Sequence, residues 1–392
     1  MLRVLAITKI FPNAAEPLSA PFNRQQFAAL AKRCSLKVMA TVPWFPGAGL
    51  VSRWSSAGKL ATVPRRERIA GIDVTHPRTL FVPRLAHSTW GPLYAASITP
   101  RVLPYRGAID VVLGSWAYPD GFAAVIAAQI IGAACVVKLH GSDVNVIAKL
   151  PGPRRLTAWA LPRADRVVAV SRALAEEVIE LGVARDRVAV VRNGVDPGLF
   201  HPRDREAARA ALGLASRPIA LYVGNLKDVK GVQDLAPAWT RALRDVPDAL
   251  LIIVGDGPLH ADIQAAVVPL GDRVRMIDAQ PLAQVPLWIA ACDVLVLPSH
   301  HEGTPNVVLE ALACGRRVVA TAVGGTPDLL TTPELGVLVP PRDPHALGAA
   351  LAHALRTSYD PDLVAKLGSC GGWDASAAQL LAVLVDAARE HR

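Results

Sequence analysis

The sequence predicts an α/β protein built from two doubly wound parallel sheets. Strand-like apolar runs alternate with helical stretches along the whole chain, the pattern of successive strand-helix-strand units. A length of 392 residues exceeds one ordinary domain and suits two of about 150 to 200 residues, each able to bury a full core. The Gly/Pro cluster Asn193-Gly194-Val195-Asp196-Pro197-Gly198 supplies the best break, and charge changes sign there: residues 1–196 carry a net +13 and the remainder −4.

In the first half, residues 2–8, 36–41, 111–113, 135–139, 167–170 and 189–191 read as strands; in the second, 219–223, 250–254, 274–277, 294–297, 318–321 and 336–339 do. The longest apolar stretch, 122–137, contains Gln129 and Gly132 and reads as helix, turn and buried strand. It falls short of the roughly 20 residues that span a bilayer. Residues 50–105 are rich in Pro, Arg and Ser and read least clearly, as an insertion or excursion. Long internal repeats and low-complexity tracts are absent.

With 52% hydrophobic and 19% charged residues, the composition excludes a disordered chain. The five cysteines, Cys34, Cys135, Cys292, Cys314 and Cys370, are scattered and lack CxxC spacing, so reduced and mostly buried thiols are expected. Residues 1–9 lack the apolar length of a signal peptide, and a cytoplasmic protein is expected. No recognised nucleic-acid motif accompanies the basic first half, so nucleic acid is not expected as a partner. An anionic membrane surface or an anionic lipid-linked acceptor fits that charge better. Trp44, Phe45, Leu50, Val51 and Trp54 lie among Arg53, Lys59, Arg65, Arg66 and Arg68, a mixture expected of peripheral contact with the inner face of a membrane.

The chemistry concentrates in residues 299–312, Ser-His-His-Glu-Gly-Thr-Pro-Asn-Val-Val-Leu-Glu-Ala-Leu. A buried strand runs into the turn Gly303-Thr304-Pro305, and a helix follows, so Glu302 falls in the loop and Glu310 one turn into the helix. Backbone N–H groups at Asn306, Val307 and Val308 then form an anion site fit for a diphosphate. Glu310 can accept hydrogen bonds from a ribose diol, and Glu302 from a hexose. Leu221-Tyr222-Val223-Gly224-Asn225-Leu226-Lys227-Asp228-Val229-Lys230-Gly231 follows a strand; its glycines admit close backbone approach and Lys230 reaches a phosphate. His140, in Leu139-His140-Gly141-Ser142-Asp143, falls at the carboxyl end of a strand, where open α/β sheets bind ligands. Asp143 is placed to orient the imidazole, approach an acceptor or cap a helix. No metal is required by any of these groups. The absence of a Walker sequence and of GxGxxG counts against ATP and NAD chemistry.

The Glu-x7-Glu spacing with Gly-Thr-Pro-Asn inside it, the downstream Gly324-Gly325-Thr326-Pro327-Asp328, the Gly224 to Gly231 loop and His140-Gly141-Ser142-Asp143 resemble the retaining glycosyltransferases of family 4, over nearly the whole chain. The resemblance implies the GT-B fold: two Rossmann-like domains facing a central cleft. Residues 1–196 would bind the acceptor, 197–372 would bind the nucleotide sugar, and a last helix, about 373–392, would cross back onto the first domain. It implies transfer of a hexosyl unit from a UDP- or GDP-linked sugar to a saccharide or lipid-linked acceptor in cell-envelope or exopolysaccharide synthesis, with no cofactor. His140, Lys230 and Glu302 would be catalytic. Gly224, Asn225, Lys230, Glu302, Gly303, Thr304, Asn306, Val307, Val308 and Glu310 would hold the donor. Two departures stand out: Asn225 replaces the family's usual arginine, for which Lys227 is the candidate substitute, and Ser19-Ala20-Pro21-Phe22 stands where many relatives carry a glycine pair. The alternatives are a sugar-nucleotide epimerase or phosphorylase of the same fold, or a non-catalytic nucleotide- or polyanion-binding protein.

Overall fold

Arg3–Thr8 (β1) is buried from Val4 onward because its side chains serve two cores at once. Val4 and Ala6 pack with Phe27, Leu30 and Leu384, while Leu5 and Ile7 pack with Tyr94, Ile98 and Ala123. A strand apolar on both faces belongs in the interior of a covered parallel sheet. The computed structural model describes residues 1–17, 19–45, 56–80, 87–145 and 150–391, and in it β1 pairs with Ser35–Ala40 (β2) on one side and Val111–Ser115 (β7) on the other. The sheet continues through Ala134–Lys138 (β8), Arg166–Ala169 (β9) and Val188–Val190 (β10) on one side and Ile72–Thr75 (β5) and Arg66–Ile69 (β4) on the other, giving the order β10-β9-β8-β7-β1-β2-β5-β4.

The sequence expectation of parallel strands throughout needs one correction. Arg66–Ile69 (β4) runs antiparallel to Ile72–Thr75 (β5), joined through Ala70 and Gly71 at φ 50° and 79°. A two-residue turn with both φ values positive makes a tight hairpin, although alanine at its first position hides it from a sequence reading. Val42–Trp44 (β3) and Arg78–Leu80 (β6) form a separate parallel pair in the stretch that read least clearly.

The last helix, Trp373–Glu390, sets Ala377, Leu380, Leu384 and Ala387 into the core of β1, β7 and β8. The chain accordingly divides into two compact units, Met1–Gly194 with Trp373–Arg392 as one and Val195–Gly372 as the other. A buried polar row ties the helix in place. Lys138 on β8 donates to Gln26 Oε1, Gln26 Nε2 donates to Ser376 Oγ at 2.9 Å, and Ser376 Oγ donates to the Arg192 carbonyl at 2.6 Å. Burial lowers the Lys138 ammonium to about 7 against the opposing pull of Asp143.

The second unit holds six parallel strands: Ile219–Val223 (β11), Leu250–Val254 (β12), Val274–Ile277 (β13), Val294–Leu297 (β14), Arg317–Thr321 (β15) and Gly336–Val339 (β16), in the order β13-β12-β11-β14-β15-β16. Both sheets are wound outward in two directions from their first strand. The direction reverses between β1 and β7 in the first unit and between β11 and β14 in the second, and ligands of open α/β sheets bind at the carboxyl ends of strands at such a reversal. Cys34, Cys135, Cys292 and Cys314 are buried thiols and Cys370 is exposed. Among the described residues no helix is long and apolar enough to cross a membrane.

Candidate functional site

At the reversal in the second unit, the loops after β11 and β14 close on one another. Gly231, at φ +59°, lets this happen: a Cβ there would lie 2.0 Å from the Pro298 carbonyl oxygen. The Val229 carbonyl accepts the N–H groups of His300 at 3.0 Å and His301 at 3.2 Å. Held this way, Lys230 Nζ donates to Glu302 Oε1 at 2.7 Å, and Ser299 Oγ donates to the same oxygen at 2.7 Å. The Glu302 side chain is only 6% exposed and that of Lys230 30%, so the pair has one open side, on the lysine. An ion pair shielded from water on one side and open on the other can exchange its internal partner for an arriving anion.

Gly255 and Gly257, after β12, bring that strand's end against the loop that follows β11. A Cβ on Gly255 would meet the Gly224 carbonyl at 1.9 Å, and one on Gly257 would meet Leu226 O at 2.5 Å. Leu226 N donates to Asp256 O at 2.9 Å, and the Tyr222 hydroxyl donates to Asn225 O at 2.9 Å. Asn225 and Lys227 are both exposed at the tip of this loop.

Beyond Gly303-Thr304-Pro305 runs the helix Asn306–Ala313, starting without a side-chain cap. One expectation changes here. Val308 N–H donates to the Pro305 carbonyl at 3.1 Å inside the first turn, so it is not an anion donor, whereas Val307 N–H has no backbone acceptor among the described residues. Glu310 lies on the half-buried face of the helix, and desolvation pushes its carboxyl up to about 7.

Two features of this unit escaped the sequence reading. His300 Nε2 lies 2.8 Å from Asp234 Oδ2, which locks the loop carrying Glu302 to the turn that follows Lys230, while His300 Nδ1 is buried without a partner among the described residues. Adjacent histidines gave no hint of this, because the link depends on Asp234 lying 66 residues away. The second is the role of Gly324, which the sequence shows only as part of a motif: it holds φ +52°, a Cβ there would lie 2.0 Å from the Glu302 carbonyl oxygen, and Gly325 N donates to Gly303 O at 2.7 Å. Gly324→Ala should therefore cost about 2 to 4 kcal/mol in urea unfolding or displace the Glu302 loop and weaken nucleotide binding. Unchanged stability together with unchanged binding would mean the loop is not set by this contact.

In the first unit, His140 follows β8 and faces β7. Its tautomer can be read from a chain of hydrogen bonds. Asn23 Nδ2 donates to the Ile10 carbonyl at 2.8 Å, which turns Asn23 Oδ1 toward the Ser115 hydroxyl, a donor to it at 3.2 Å. Ser115 Oγ is then left to accept from His140 Nε2 at 2.9 Å. Burial first, and Lys138 second, hold the His140 pKa well below the usual imidazole range. A neutral ring with its proton on Nε2 presents the Nδ1 lone pair as an acceptor. Asp143 is fully buried and accepts the N–H groups of Gly141 at 2.7 Å, Ala117 at 2.8 Å and His140 at 3.1 Å, so among the described residues its carboxylate holds backbone amides rather than the imidazole. It shapes the strand end, and burial raises its carboxyl above the usual range. Trp116 and Phe22 flank the imidazole at ring-centre distances of 6.0 and 5.0 Å. Trp116 holds φ 135°, a strained value for a residue with a side chain. Its place directly after a strand was the available signal.

Residues 51–199 match the model of Glycosyltransferase Family 4, and residues 217–357 that of Glycosyl transferases group 1. The putative teichuronic acid biosynthesis glycosyltransferase TuaC of Bacillus subtilis is 30% identical over 357 residues, 89% of this chain and 88% of that one. The N-acetyl-alpha-D-glucosaminyl L-malate synthase of Bacillus anthracis is 32% identical over 238 residues, 59% of this chain, and the match spans only 62% of that relative's length. Among solved structures, Anabaena HepE in complex with UDP-glucose superposes with a TM-score of 0.68 at 21% identity, covering 99% of this chain and 98% of that one. At that identity the likeness speaks for the fold alone.

Proposed function

The chain belongs to glycosyltransferase family 4 and has the GT-B fold, and from that membership we propose that it moves a hexosyl unit, with retention of anomeric configuration and without a metal, from a UDP- or GDP-linked sugar to a saccharide or lipid-linked acceptor. The observation that carries this reading is the Lys230 to Glu302 pair at 2.7 Å, set beside the start of the helix that bears Glu310. Cation, helix amide and two carboxylates in that order match diphosphate, hexose and ribose. The name of TuaC, with its teichuronic acid, supports a role in building envelope glycans.

In this mechanism Glu310 accepts hydrogen bonds from the ribose diol, and Lys230 with the Val307 amide binds the diphosphate. As Lys230 turns to the phosphate, Glu302 stays hydrogen-bonded to Ser299 and takes a hexose hydroxyl in the lysine's place. His140 Nδ1 accepts from a substrate hydroxyl. The bond from the anomeric carbon to the phosphate oxygen breaks with its electron pair going to that oxygen. The acceptor hydroxyl adds to the same face of the carbon and gives its proton to the departing phosphate. Catalysis then rests on positioning and on charge stabilisation at the leaving group.

The test is incubation with a panel of UDP- and GDP-sugars and an envelope-lipid extract, following nucleotide release and the anomeric proton coupling of the product. Release of nucleoside diphosphate with a retained anomer is expected. Epimerised donor without any transfer would replace this reading with a sugar-nucleotide epimerase, and an inverted anomer would overturn the retaining mechanism.

A further inference from the structure

A feature of the first unit plays no part in the chemistry above. The end of β5, the start of β6 and the end of the helix Trp90–Val102 enclose a cavity of about 480 Å³ lined by Arg65, Arg66, Arg78 and Arg101, with Tyr105 in its wall. A second cavity of about 600 Å³ adjoins it across Arg66, Thr75 and Tyr105 and adds Lys37 and Arg68.

The charge of this groove is unbalanced. Among the described residues, the first cavity has no carboxylate in its wall. The second has two: Glu67 lies 3.2 Å from buried His76 Nε2, and Asp73 lies 4.0 Å from Arg68. Among the described residues, Lys37, Arg65, Arg66 and Arg101 form no ion pair. The undescribed segments 46–55, 81–86 and 146–149 contain no Asp or Glu in their sequence, so they cannot supply the missing charge. Neutral groups hold the cations in place instead. Arg78 Nη2 donates to the carbonyls of Val63 at 2.5 Å and Ala61 at 3.2 Å, Arg101 Nη1 donates to Ser97 O at 2.7 Å, and Lys37 Nζ sits 5.1 Å from the Tyr105 ring centre. Burial first, and then the nearby Arg65, lower the Arg78 pKa from the usual guanidinium range. Guanidinium groups offer forked donors that match phosphate oxygens.

An apolar element stands beside this groove. In the β3–β6 pair, Val42 lies opposite Arg78 and Trp44 opposite Leu80, so the strand that begins at the cavity wall ends on two facing apolar side chains. Trp44 is 40% exposed and Leu80 37%. An indole and an aliphatic side chain two residues along their strands from the Val42–Arg78 pair, whose arginine lines the cavity, suit the boundary between headgroups and acyl chains.

We infer that this groove binds the phosphoryl group of an anionic lipid headgroup, with Arg65, Arg66 and Arg101 on the phosphate and the Trp44–Leu80 pair seated in the lipid surface. Of the aromatic and basic residues singled out in the sequence for membrane contact, Leu50, Val51, Arg53 and Trp54 lie outside the described residues, and the inference rests on none of them. Nor does it rest on glycosyl transfer.

The experiment is co-sedimentation of the full chain at low salt with vesicles of equal parts phosphatidylglycerol and phosphatidylcholine, against vesicles of phosphatidylcholine alone and against soluble glycerophosphate measured by calorimetry. Wild type should sediment with the anionic vesicles only. Arg65→Glu with Arg66→Glu should lower vesicle affinity by about tenfold or more, and Trp44→Ala with Leu80→Ala should weaken it at fixed salt. Both variants should keep the wild-type unfolding midpoint and UDP affinity. Three outcomes would overturn the inference: wild type ignoring anionic vesicles, the arginine variant sedimenting like wild type, or glycerophosphate binding as tightly as vesicles with no effect of the Trp44 and Leu80 changes, which would assign a soluble phosphate ester instead.

Discussion

Lys230→Ala should lower kcat by about a hundredfold or more at saturating donor, while donor affinity falls by no more than about tenfold. The asymmetry follows from when the ammonium matters. In the resting protein it is shared with Glu302 at 2.7 Å, so ground-state donor binding gains only the difference between a carboxylate and a phosphate partner. As the leaving phosphate gains charge, that difference grows, and the lost interaction appears in turnover rather than in affinity. Removing the lysine also leaves the carboxylate of Glu302 buried without its cation, a cost borne by the folded state. Urea unfolding of the variant separates this cost from catalysis. Turnover within about twofold of wild type would move the role to another cation, and exposed Lys227, three residues earlier, is the first to test.

Glu310→Gln should weaken UDP or GDP binding by about 1 to 3 kcal/mol and remove its pH dependence. A diol donates to a carboxylate; an amide offers one oxygen and turns the other position into a donor. The sign of the pH effect comes from the resting state. Burial holds the Glu310 carboxyl at about 7, above its unfolded value, so its contribution to folding is present at low pH and lost as pH rises through about 7. Ribose hydroxyls favour the charged form and reverse that preference. Nucleotide affinity should therefore increase from about pH 6 to pH 8, with proton uptake by buffer near pH 6.5. Calorimetry in two buffers of different ionisation enthalpy reads the released proton directly. PH-independent binding in wild type would place the ribose elsewhere.

Much of the architecture was legible because buried parallel strands are short and apolar on both faces. Residues 219–223, 250–254, 274–277, 294–297 and 336–339 match the observed strands, and in the first unit the ends of β8 and β10 differ by one residue from the reading. The β4–β5 hairpin and the β3–β6 pair were not legible, because their residues are half exposed and their turn uses alanine at positive φ. At the site, local chemistry read well: Glu302 fell in a loop, Glu310 one turn into a helix and His140 at a strand end. Couplings between distant segments did not. The Lys230 to Glu302 pair spans 72 residues, the His300 to Asp234 link 66, and the chain that sets the His140 tautomer passes through Asn23 and Ser115. For Asp143 the sequence leaves three targets open, the imidazole, an acceptor or a helix start, and spacing alone does not reveal that the turn brings the backbone N–H groups of His140 and Gly141 onto its carboxylate.

The crossing of the last helix has a consequence for how the protein is made. The first unit needs Leu380, Leu384 and Ala387 against Val4, Phe27 and Leu30, and those three residues are made only after the whole of Val195–Gly372. Val195–Gly372, in contrast, is contiguous in the chain. The second unit can thus close during synthesis while one face of the first remains uncovered, which inverts the usual order in which domains nearer the amino terminus mature first. A stalled nascent chain ending before Trp373 should present a protease-resistant second unit behind a first unit that is still cleavable, and it is the interval between those two events in which a chaperone would find this chain.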